Sequence, residues 1–308
     1  MKIKYIVLVA CAVCVVLSVS CRSVTEPLVP IDRYPTKASR ASATDDIVIS
    51  VLSYNVHGAP ALVTRDSPRT RMPIIGEMLN RYDLALAQED FAYHDAFVKP
   101  ARHPVIVQGS QMKGGFFFIR SFFCGFCGSG LTTFSALPVG AIRTAPFEDC
   151  NGLIGSSQDC WATKGFSMVT LILPNGAQVD VYNLHLDAGS GTSDHEARVK
   201  QLETMAEGLN HFSHDRAVIM GGDFNLEETD ERDNRVLKDF LQKHALKDSG
   251  ARGGRWHKER LDYILYRGTN RVKVTAISAG EDETFVHDGK PLSDHPALKV
   301  LFKVGPVK

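Results

Sequence analysis

The segment AVIMGGDFNLE, residues 217–227, decides how the rest of the chain is interpreted. Its apolar start, from Ala217 to Met220, predicts a buried strand that two glycines then interrupt. Asp223 and Asn225 follow two residues apart, and in extended backbone this spacing places both side chains on one face. Because an unpaired polar group costs about 1–3 kcal/mol when buried, we expect the pair to face a cleft. A plain turn is the alternative, since Gly, Asp and Asn all favour turns.

Several other apolar segments also end in, or carry, polar side chains with oxygen or imidazole groups. The strand candidates lie at 47–58, 83–90, 177–189 and 260–266. Their polar residues, together with those of the segment LSDHP near the end of the chain, are Asn55, Glu89, Asn183, His185, Asp262, Asp294 and His295. Polar residues at strand ends are where an α/β protein builds its site, so we expect these side chains to converge.

Amphipathic helices separate several of these strands. Ile75, Met78, Leu79 and Tyr82 follow a helical period, and Ser193 with Glu196 predicts a capping box that opens a second helix. The 308 residues are 44% hydrophobic, which is enough for a sizeable core. Strands that alternate with helices predict an α/β (α+β) fold of mixed sheets covered by helices, in one domain over 47–303.

The start of the chain has the layout of an export signal. Lys2 and Lys4 precede an apolar run that is too short to span a membrane, so residues 1–21 are predicted to be a signal peptide. Cys21 resembles the lipidated cysteine of a bacterial lipoprotein, and cleavage without lipidation is the alternative. Residues 22–46 are predicted to be a flexible tether. The expected product is secreted, or anchored in a bacterial envelope as a lipoprotein.

Four cysteines follow the predicted signal: Cys124, Cys127, Cys150 and Cys160. An even number in an exported chain favours disulfides, and we expect Cys150 to pair with Cys160 across a polar loop. A zinc site is the competing interpretation, but the spacing is irregular and no histidine is close in sequence.

The segment GGFFFIRSFFCGFCG, residues 114–128, holds six phenylalanines. It predicts either a buried hairpin or an exposed aromatic loop that contacts a lipid surface. Lys plus Arg and Asp plus Glu balance at 35 each, so the chain as a whole has no basic field for nucleic acid. If the aromatic loop is exposed, a phospholipid surface is the expected partner, and nucleic acid is the alternative. We also expect the chain to act as a monomer.

The collected polar residues combine carboxylates, carboxamides and two histidines. Oxygen ligands suit a hard cation, Mg²⁺ above all, although Mn²⁺ or another divalent cation is also compatible. Histidines suit proton transfer near neutral pH. The combination predicts metal-assisted attack of water on a phosphate ester.

The order of seven short motifs resembles the endonuclease/exonuclease/phosphatase superfamily, which includes DNase I and the sphingomyelinases. The motifs are SYNVHG, QED, SGL, YNLHLDAG, GGDFN, LDYIL and LSDHP. The resemblance runs from about residue 50 to residue 300 and implies a DNase I-like α/β/β/α sandwich of four layers: two mixed sheets packed face to face, with helices outside.

The resemblance also implies roles for the candidate residues. Asn55 and Glu89 would hold Mg²⁺, and His185 would bind the scissile phosphate. Asp223 would position the attacking water, Asn225 would hold a phosphate oxygen, and Asn183 would contribute to substrate binding. His295 would be the general base, oriented by Asp262, with Asp294 near the metal.

Within this superfamily His185 favours the DNase I and sphingomyelinase branches. DCWATKGF, residues 159–166, is similar to a segment of bacterial sphingomyelinases. We therefore expect an exported phosphodiesterase of the sphingomyelinase type that acts on phospholipid head groups. An exported DNase I-like endonuclease is the main alternative, and a surface lipoprotein that binds without catalysis is the third.

Overall fold

The computed structural model describes residues 42–64, 66–110, 128–151, 164–254, 257 and 259–307. Within them, two six-stranded sheets form the centre of the protein. The first sheet has the spatial order β11-β14-β1-β2-β4-β3. Its strands are β1 (Ile47–Asn55), β2 (Leu84–Gln88), β3 (Val105–Gln108), β4 (Thr132–Ser135), β11 (Val272–Glu281) and β14 (Leu298–Pro306).

The second sheet has the order β5-β6-β7-β8-β10-β9. Its strands are β5 (Val139–Pro146), β6 (Gly165–Ile172), β7 (Gln178–His185), β8 (Ala217–Asp223), β9 (Lys247–Asp248) and β10 (Asp262–Arg267). Both sheets are mixed: β1 pairs with β2 in parallel and with β14 antiparallel, while β7 pairs with β8 in parallel and with β6 antiparallel. A small hairpin, β12 (Val286–His287) and β13 (Lys290–Pro291), precedes the last strand.

Helices cover the outer faces of both sheets. They are α1 (Ala61–Thr64), α2 (Pro68–Met78), α3 (His94–Val98), α4 (Thr192–Phe212) and α5 (Glu231–Lys243), and a 3₁₀ turn, Leu79–Arg81, follows α2. The buried face of α4 carries Leu202, Met205 and Leu209, as its sequence period predicts. No helix in the described part of the chain has both the length and the apolar composition needed to cross a bilayer.

In the described part of the chain, three apolar clusters fill the spaces between these layers. The central one joins the inner faces of the sheets and includes Val51, Leu86, Val181 and Ile219. A second packs α4 and α5 on the second sheet, and a third packs α2 and α3 on the first. The molecule is therefore a four-layer sandwich of two mixed sheets with helices outside, which confirms the predicted fold class.

The two glycines of the opening segment do not interrupt the strand, and that prediction was wrong. β8 continues through Gly221 and Gly222 to Asp223. A Cβ at Gly221 would lie 2.8 Å from Leu86 Cδ1 of the other sheet, so this glycine permits the close approach of the sheets. A Cβ at Gly222 would lie 2.1 Å from the Leu184 carbonyl oxygen of the neighbouring strand. Both glycines leave space for neighbouring atoms that a Cβ would approach too closely, and the strand continues to Asp223.

The start of α4 also differs from its prediction. The helix begins at Thr192, and Asp194 accepts a hydrogen bond of 2.9 Å from the Gly191 N–H. Gly191 is thus the N-cap residue, and Asp194 is the third residue of the helix. Ser193 lies inside the helix, so Ser193 and Glu196 do not form the predicted capping box.

Some sequence predictions fall outside the described residues. These are the signal peptide and most of the tether, the phenylalanine-rich segment, and Cys124, Cys127 and Cys160. The pairing of Cys150 with Cys160 stays a prediction for that reason. The first strand begins at Ile47, where the domain was predicted to start, and the last strand ends at Pro306, just beyond residue 303.

Candidate active site

Strand register brings the central residues of the site together. His185 and Asp223 are direct neighbours on the parallel strands β7 and β8, and Asp262 is the neighbour of Asp223 on β10. His185 Nε2 lies 3.4 Å from Asp223 Oδ2. Asn55, at the end of β1 in the other sheet, donates its amide N–H to the same Asp223 oxygen at 3.0 Å. Asp223 therefore joins the two sheets at one edge of the sandwich.

Glu89 approaches this group from the first sheet. It follows β2 directly, and its Oε1 accepts a hydrogen bond of 3.0 Å from Asn55 Nδ2. Its Oε2 lies 3.6 Å from His57 Nδ1, which in turn lies 3.3 Å from Asp294 Oδ1. The Glu89 carboxylate therefore contacts the Asn55 amide through one oxygen and the His57 imidazole through the other.

The backbone at the site is strained in three places. His57, Glu89 and Asn225 have φ values of 49°, 58° and 49°, in the left-handed region that residues other than glycine rarely adopt. Such conformations cost about 1–3 kcal/mol each and persist where the surrounding structure enforces them, often at functional sites. All three residues lie at the candidate site, where the hydrogen bonds of Asn55 to Glu89, of His57 to Asn55 and of Asn225 to Asp223 hold this backbone in place.

His295 completes the site from the loop before β14. Its Nδ1 lies 2.9 Å from Asp262 Oδ2, and its Nε2 lies 3.7 Å from Asp223 Oδ2. Ser293 holds this loop against the first sheet by donating its hydroxyl to the Asn55 carbonyl at 2.7 Å. The carboxylate behind the imidazole favours a proton on Nδ1 and leaves Nε2 toward Asp223.

Lys164 is a site residue that the sequence interpretation did not single out. Its Nζ donates to the Leu186 carbonyl at 2.7 Å and lies 3.1 Å from His185 Nε2, and the residue is only 5% exposed. His57 is a second such residue. Lys164 belongs to the motif DCWATKGF and His57 to SYNVHG, so the available signal was their position within those motifs.

The remaining candidates divide into two groups. Asn225 lies at the site, where its backbone N–H donates to Asp223 Oδ1 at 3.0 Å and its amide donates to the Leu186 carbonyl at 3.0 Å.

Asn183 does not lie at the site. It is fully buried between the sheets, where its oxygen accepts from Gln88 at 2.8 Å and its amide nitrogen donates to the Ala87 carbonyl at 3.0 Å. The predicted contact of Asn183 with substrate is corrected to a structural position.

Asn55 lies where it was predicted, but its amide orientation is informative. The nitrogen faces Glu89 and Asp223, and the oxygen accepts a hydrogen bond of 3.0 Å from the His57 N–H. In this orientation Asn55 bridges two carboxylates through its nitrogen, so Glu89 is the stronger of the two predicted metal ligands.

Burial and neighbouring charges shift the acidity of these groups strongly. Burial alone would raise the pKa of Glu89, but the approach of His57 and the Asn55 amide hold that pKa well below its usual range. Burial lowers the pKa of His185, and the Lys164 charge lowers it further. The pocket therefore favours an ionised Glu89 beside a neutral His185.

The other two groups shift in the opposite direction. Burial raises the pKa of Asp223, and the neighbouring Asp262 carboxylate contributes to the rise. Burial opposes the charged form of His295, but Asp262 and Asp223 outweigh it and hold the pKa of this histidine well above its usual value. The negative charges gathered here therefore favour a bound cation or a protonated imidazole.

Among the residues that the structure describes, two sets of side chains have the geometry to hold a metal ion. Ligand atoms of Glu89, His185 and Asp223 lie within 4.8 Å of one another, and so do those of Asp223, Asp262 and His295. Carboxylate oxygens predominate in both, and the low pKa of Glu89 keeps its oxygens available. This donor set fits a hard divalent cation such as Mg²⁺.

Comparison with known proteins is consistent with this geometry. A sphingomyelinase of Mycobacterium tuberculosis is 31% identical over 271 residues, which cover 82% of this chain and 52% of the relative. The chain thus spans about half the length of the curated relatives it matches.

Two solved structures share the fold. Sphingomyelinase C from Streptomyces griseocarneus aligns with a TM-score of 0.61 and 19% identity, covering 83% of this chain and 99% of that one. A beta toxin mutant from Staphylococcus aureus with bound magnesium ions aligns with a TM-score of 0.62 and 16% identity, covering 82% of this chain and 99% of that one.

The match to a protein family spans almost the same part of the chain as the sequence motifs. It covers residues 52–295, from within β1 to His295, and so includes the candidate site and the described strands of both sheets apart from β14 and the first part of β1. The protein therefore belongs to the endonuclease/exonuclease/phosphatase family.

Proposed function

We propose that this protein is an exported, Mg²⁺-dependent phosphodiesterase of the sphingomyelinase type. One observation carries the proposal: Glu89, His185, Asp223 and His295 come from four separate segments and meet at one edge of the two sheets. A binding module does not require the imidazole–carboxylate pair of His295 and Asp262 to lie beside a further carboxylate, that of Asp223. A hydrolase does, because it must move protons and stabilise charge at the same place.

His295 is the proposed general base. Its Nδ1 faces Asp262, so Nε2 is the atom available to take a proton from water. Asp223 lies 3.7 Å from that nitrogen and would orient the same water. His185, Lys164 and the amide of Asn225 lie on the other side of Asp223 and would contact the phosphate oxygens.

Glu89 is the proposed principal ligand of the cation, with Asn55 and Asp294 beside it. When bound there, Mg²⁺ would polarise the phosphoryl group and neutralise part of its charge. Mn²⁺ or another divalent cation would be expected to replace it, because the donor set consists mainly of carboxylate oxygens.

The substrate class rests on the relatives. The mycobacterial relatives are named sphingomyelinases, and at 31% identity the resemblance extends across 82% of this chain. A phospholipid head group at a membrane surface is therefore the proposed substrate, with the chain working as a monomer. Export, as a secreted protein or a lipoprotein anchored through Cys21, would place the enzyme where such lipids are encountered.

Hydrolysis of two substrates tests the proposal directly. Purified protein is incubated with Mg²⁺ and either sphingomyelin vesicles or plasmid DNA, and choline phosphate release and strand nicking are measured. We expect release of choline phosphate and little nicking. Efficient digestion of the plasmid with inert vesicles would instead identify a nuclease and contradict the lipid substrate.

A pair of histidine variants separates catalysis from binding. His295→Ala should reduce the hydrolysis rate by about 10²-fold or more, because the general base is lost. His214→Ala is the control, since its side chain is 77% exposed and remote from the pocket. If wild-type protein binds vesicles but hydrolyses neither substrate, the protein is a binding module and the proposal is wrong.

A further inference from the structure

Arg71 lies on the buried face of α2, behind the site. The residue is 7% exposed and lies beside Met72 and Ile75, which pack into the apolar cluster over the first sheet. A buried guanidinium is tolerated only when its N–H groups are paired, because burial of a charge is expensive. Its partners therefore indicate what it does.

The guanidinium binds main-chain oxygens of two separate loops. Nη1 donates to the Val56 carbonyl and, at 3.2 Å, to the Leu292 carbonyl. Nη2 donates to the His57 carbonyl. On its outer side Nε donates to Asp66 at 2.8 Å. One planar group thus links residues that are more than 200 positions apart in the sequence.

The two loops carry opposite halves of the candidate site. Val56 and His57 follow Asn55 directly, and the Gly58 N–H donates to the Glu89 carbonyl at 3.0 Å, so this loop positions Glu89. Leu292 precedes the loop of Ser293, Asp294 and His295. The distance between the cation-binding side and the general base therefore depends on how these loops are held together.

We propose that Arg71 is a positioning residue that fixes His295 relative to Glu89 by clamping the Val56–His57 and Leu292 carbonyls. The proposal rests on the proposed hydrolase function. Arg71 itself lies behind the pocket, so it acts through the loops and makes no contact with substrate. Its planar fork suits this task, since it can bind several acceptors in fixed directions.

A side-chain hydrogen bond also joins the same two loops. The Ser293 hydroxyl donates to the Asn55 carbonyl at 2.7 Å, one residue before the first carbonyl bound by Arg71. Without Arg71, the two loops would be joined by this hydrogen bond and by the 3.3 Å approach of His57 Nδ1 to Asp294 Oδ1, and both contacts depend on a side chain of one of the loops themselves. The guanidinium adds hydrogen bonds to the main chain of both loops and so restrains one loop relative to the other.

Two substitutions at Arg71 test the role. Arg71→Met keeps most of the aliphatic volume and loses every donor, whereas Arg71→Lys keeps the charge and some donors. We expect Arg71→Met to lower kcat by about 10²-fold with little change in KM, because a displacement of about 1 Å at reacting groups has that effect. Arg71→Lys should recover part of kcat.

Two controls accompany these variants, one at a distant guanidinium and one at the outer partner of Arg71. Arg267→Met deletes a half-buried guanidinium that also binds two carbonyls, those of His244 and Ser213, at the opposite end of β10 from Asp262. Asp66→Ala removes the outer partner of Arg71 and leaves its carbonyl contacts. Both should retain wild-type kcat once the folded fraction is measured by circular dichroism.

Hydrogen–deuterium exchange gives a readout that does not depend on activity. In both Arg71 variants, peptides that cover residues 55–58 and 292–295 should exchange faster together, and in Arg267→Met neither should change. Faster exchange in only one loop, or unchanged kcat in folded Arg71→Met, would overturn the proposal. If Arg71→Met does not fold, the same measurements on Arg71→Lys decide it.

The exchange measurement also separates the two proposals. If wild-type protein hydrolyses no phosphate ester, the proposed function fails, while coupled exchange of the two loops would still show that Arg71 holds them. If the enzyme is active and the loops exchange independently, the positioning role fails and the function stands.

Discussion

His295 Nδ1 lies 2.9 Å from Asp262 Oδ2, in a pair whose side chains are 17% and 2% exposed. His214 and Asp215 form a pair at almost the same distance, 3.0 Å, but their side chains are 77% and 92% exposed. Water competes for the exposed pair and hardly reaches the buried one, so only the buried carboxylate can hold its imidazole in one orientation.

Asp262→Asn should lower kcat by about 10²-fold, because the amide no longer favours the required tautomer of His295. Asp262 raises the pKa of His295, so its loss should lower that pKa. Activity that requires a neutral base rises as pH increases through the pKa, and the rising limb should therefore move to lower pH. A pH profile of kcat/KM measures both effects.

The control for this change is Asp215→Asn, which alters the exposed pair. It should leave the rate and the profile unchanged. An Asp262→Asn variant with a wild-type profile would show that Asp262 does not set the acidity of the base.

Glu89→Gln should weaken Mg²⁺ binding by more than about 10-fold, since even loss of an outer-shell partner costs that much. Metal that binds only the folded state stabilises it, by about 2.7 kcal/mol at a hundred times Kd. Mg²⁺ should therefore raise the unfolding temperature of the wild type and have little effect on the variant.

Glu77→Gln is a matched control for the metal prediction, because its side chain is 52% exposed on α2. It should respond to Mg²⁺ as the wild type does. Equal stabilisation of Glu89→Gln would place the cation elsewhere.

Lys164→Met should lower kcat/KM by about 10²-fold, the loss typical of one donor that stabilises a developing negative charge. It should also raise the pKa of His185, because the Lys164 charge opposes protonation of that imidazole. NMR titration of the His185 ring protons measures this shift. Lys299→Met, at a side chain 48% exposed on β14, should change neither quantity.

His103 should make folding stability depend on pH. Burial lowers the pKa of this histidine, whose Nε2 donates to the Tyr82 carbonyl at 2.9 Å. The unfolded chain then takes up the proton at higher pH than the folded one. Stability from His103 is therefore complete above the unfolded pKa of about 6.5 and is lost as pH falls through the folded pKa.

His103→Gln should flatten this dependence at pH values below the unfolded pKa of about 6.5. Urea unfolding at a series of pH values measures it, with the exposed His214→Gln as the control. An unchanged slope in His103→Gln would mean that other groups govern the acid limb.

Gly222→Ala should destabilise the fold by about 1–3 kcal/mol, the usual cost of overpacking a core. The added Cβ would meet the Leu184 carbonyl oxygen at 2.1 Å, and a backbone atom within a sheet cannot move aside freely. Gly280→Ala has no atom within 4 Å of its Cβ and should be close to neutral. Equal unfolding free energies for both variants would contradict this account of the GGD segment.

Much of the fold was predictable because its signals are local. Alternating and continuous apolar runs predicted the main strands, since a strand covered on both faces must be apolar on both. Most of the candidate site was predictable for a related reason: polar side chains at the ends of buried strands are costly unless they face a pocket. The predicted position of Asn183 was wrong because the alternation of residues along a strand does not distinguish a polar side chain that faces the site from one that is hydrogen-bonded between the two sheets.

Residues that act across sequence distance were harder to predict. Lys164 precedes a strand and looks like any lysine until β6 pairs with β7 and brings it beside His185. Arg71 occupies the buried face of a helix, four residues before Ile75, which is a weak signal of a paired charge. One of the carbonyls that accept its hydrogen bonds belongs to Leu292, and no local sequence pattern links Arg71 to Leu292.

The amino-acid sequence by itself determined the layers, the strands and the residue types available for phosphate chemistry, because those depend on periodicity and on the cost of burying polar groups. Only the tertiary structure decided which groups touch. Strand register set His185 and Asp262 on either side of Asp223, and the packing of two loops against one guanidinium set the position of His295. Register and loop packing depend on contacts between distant segments, and such contacts leave no periodic trace along the chain.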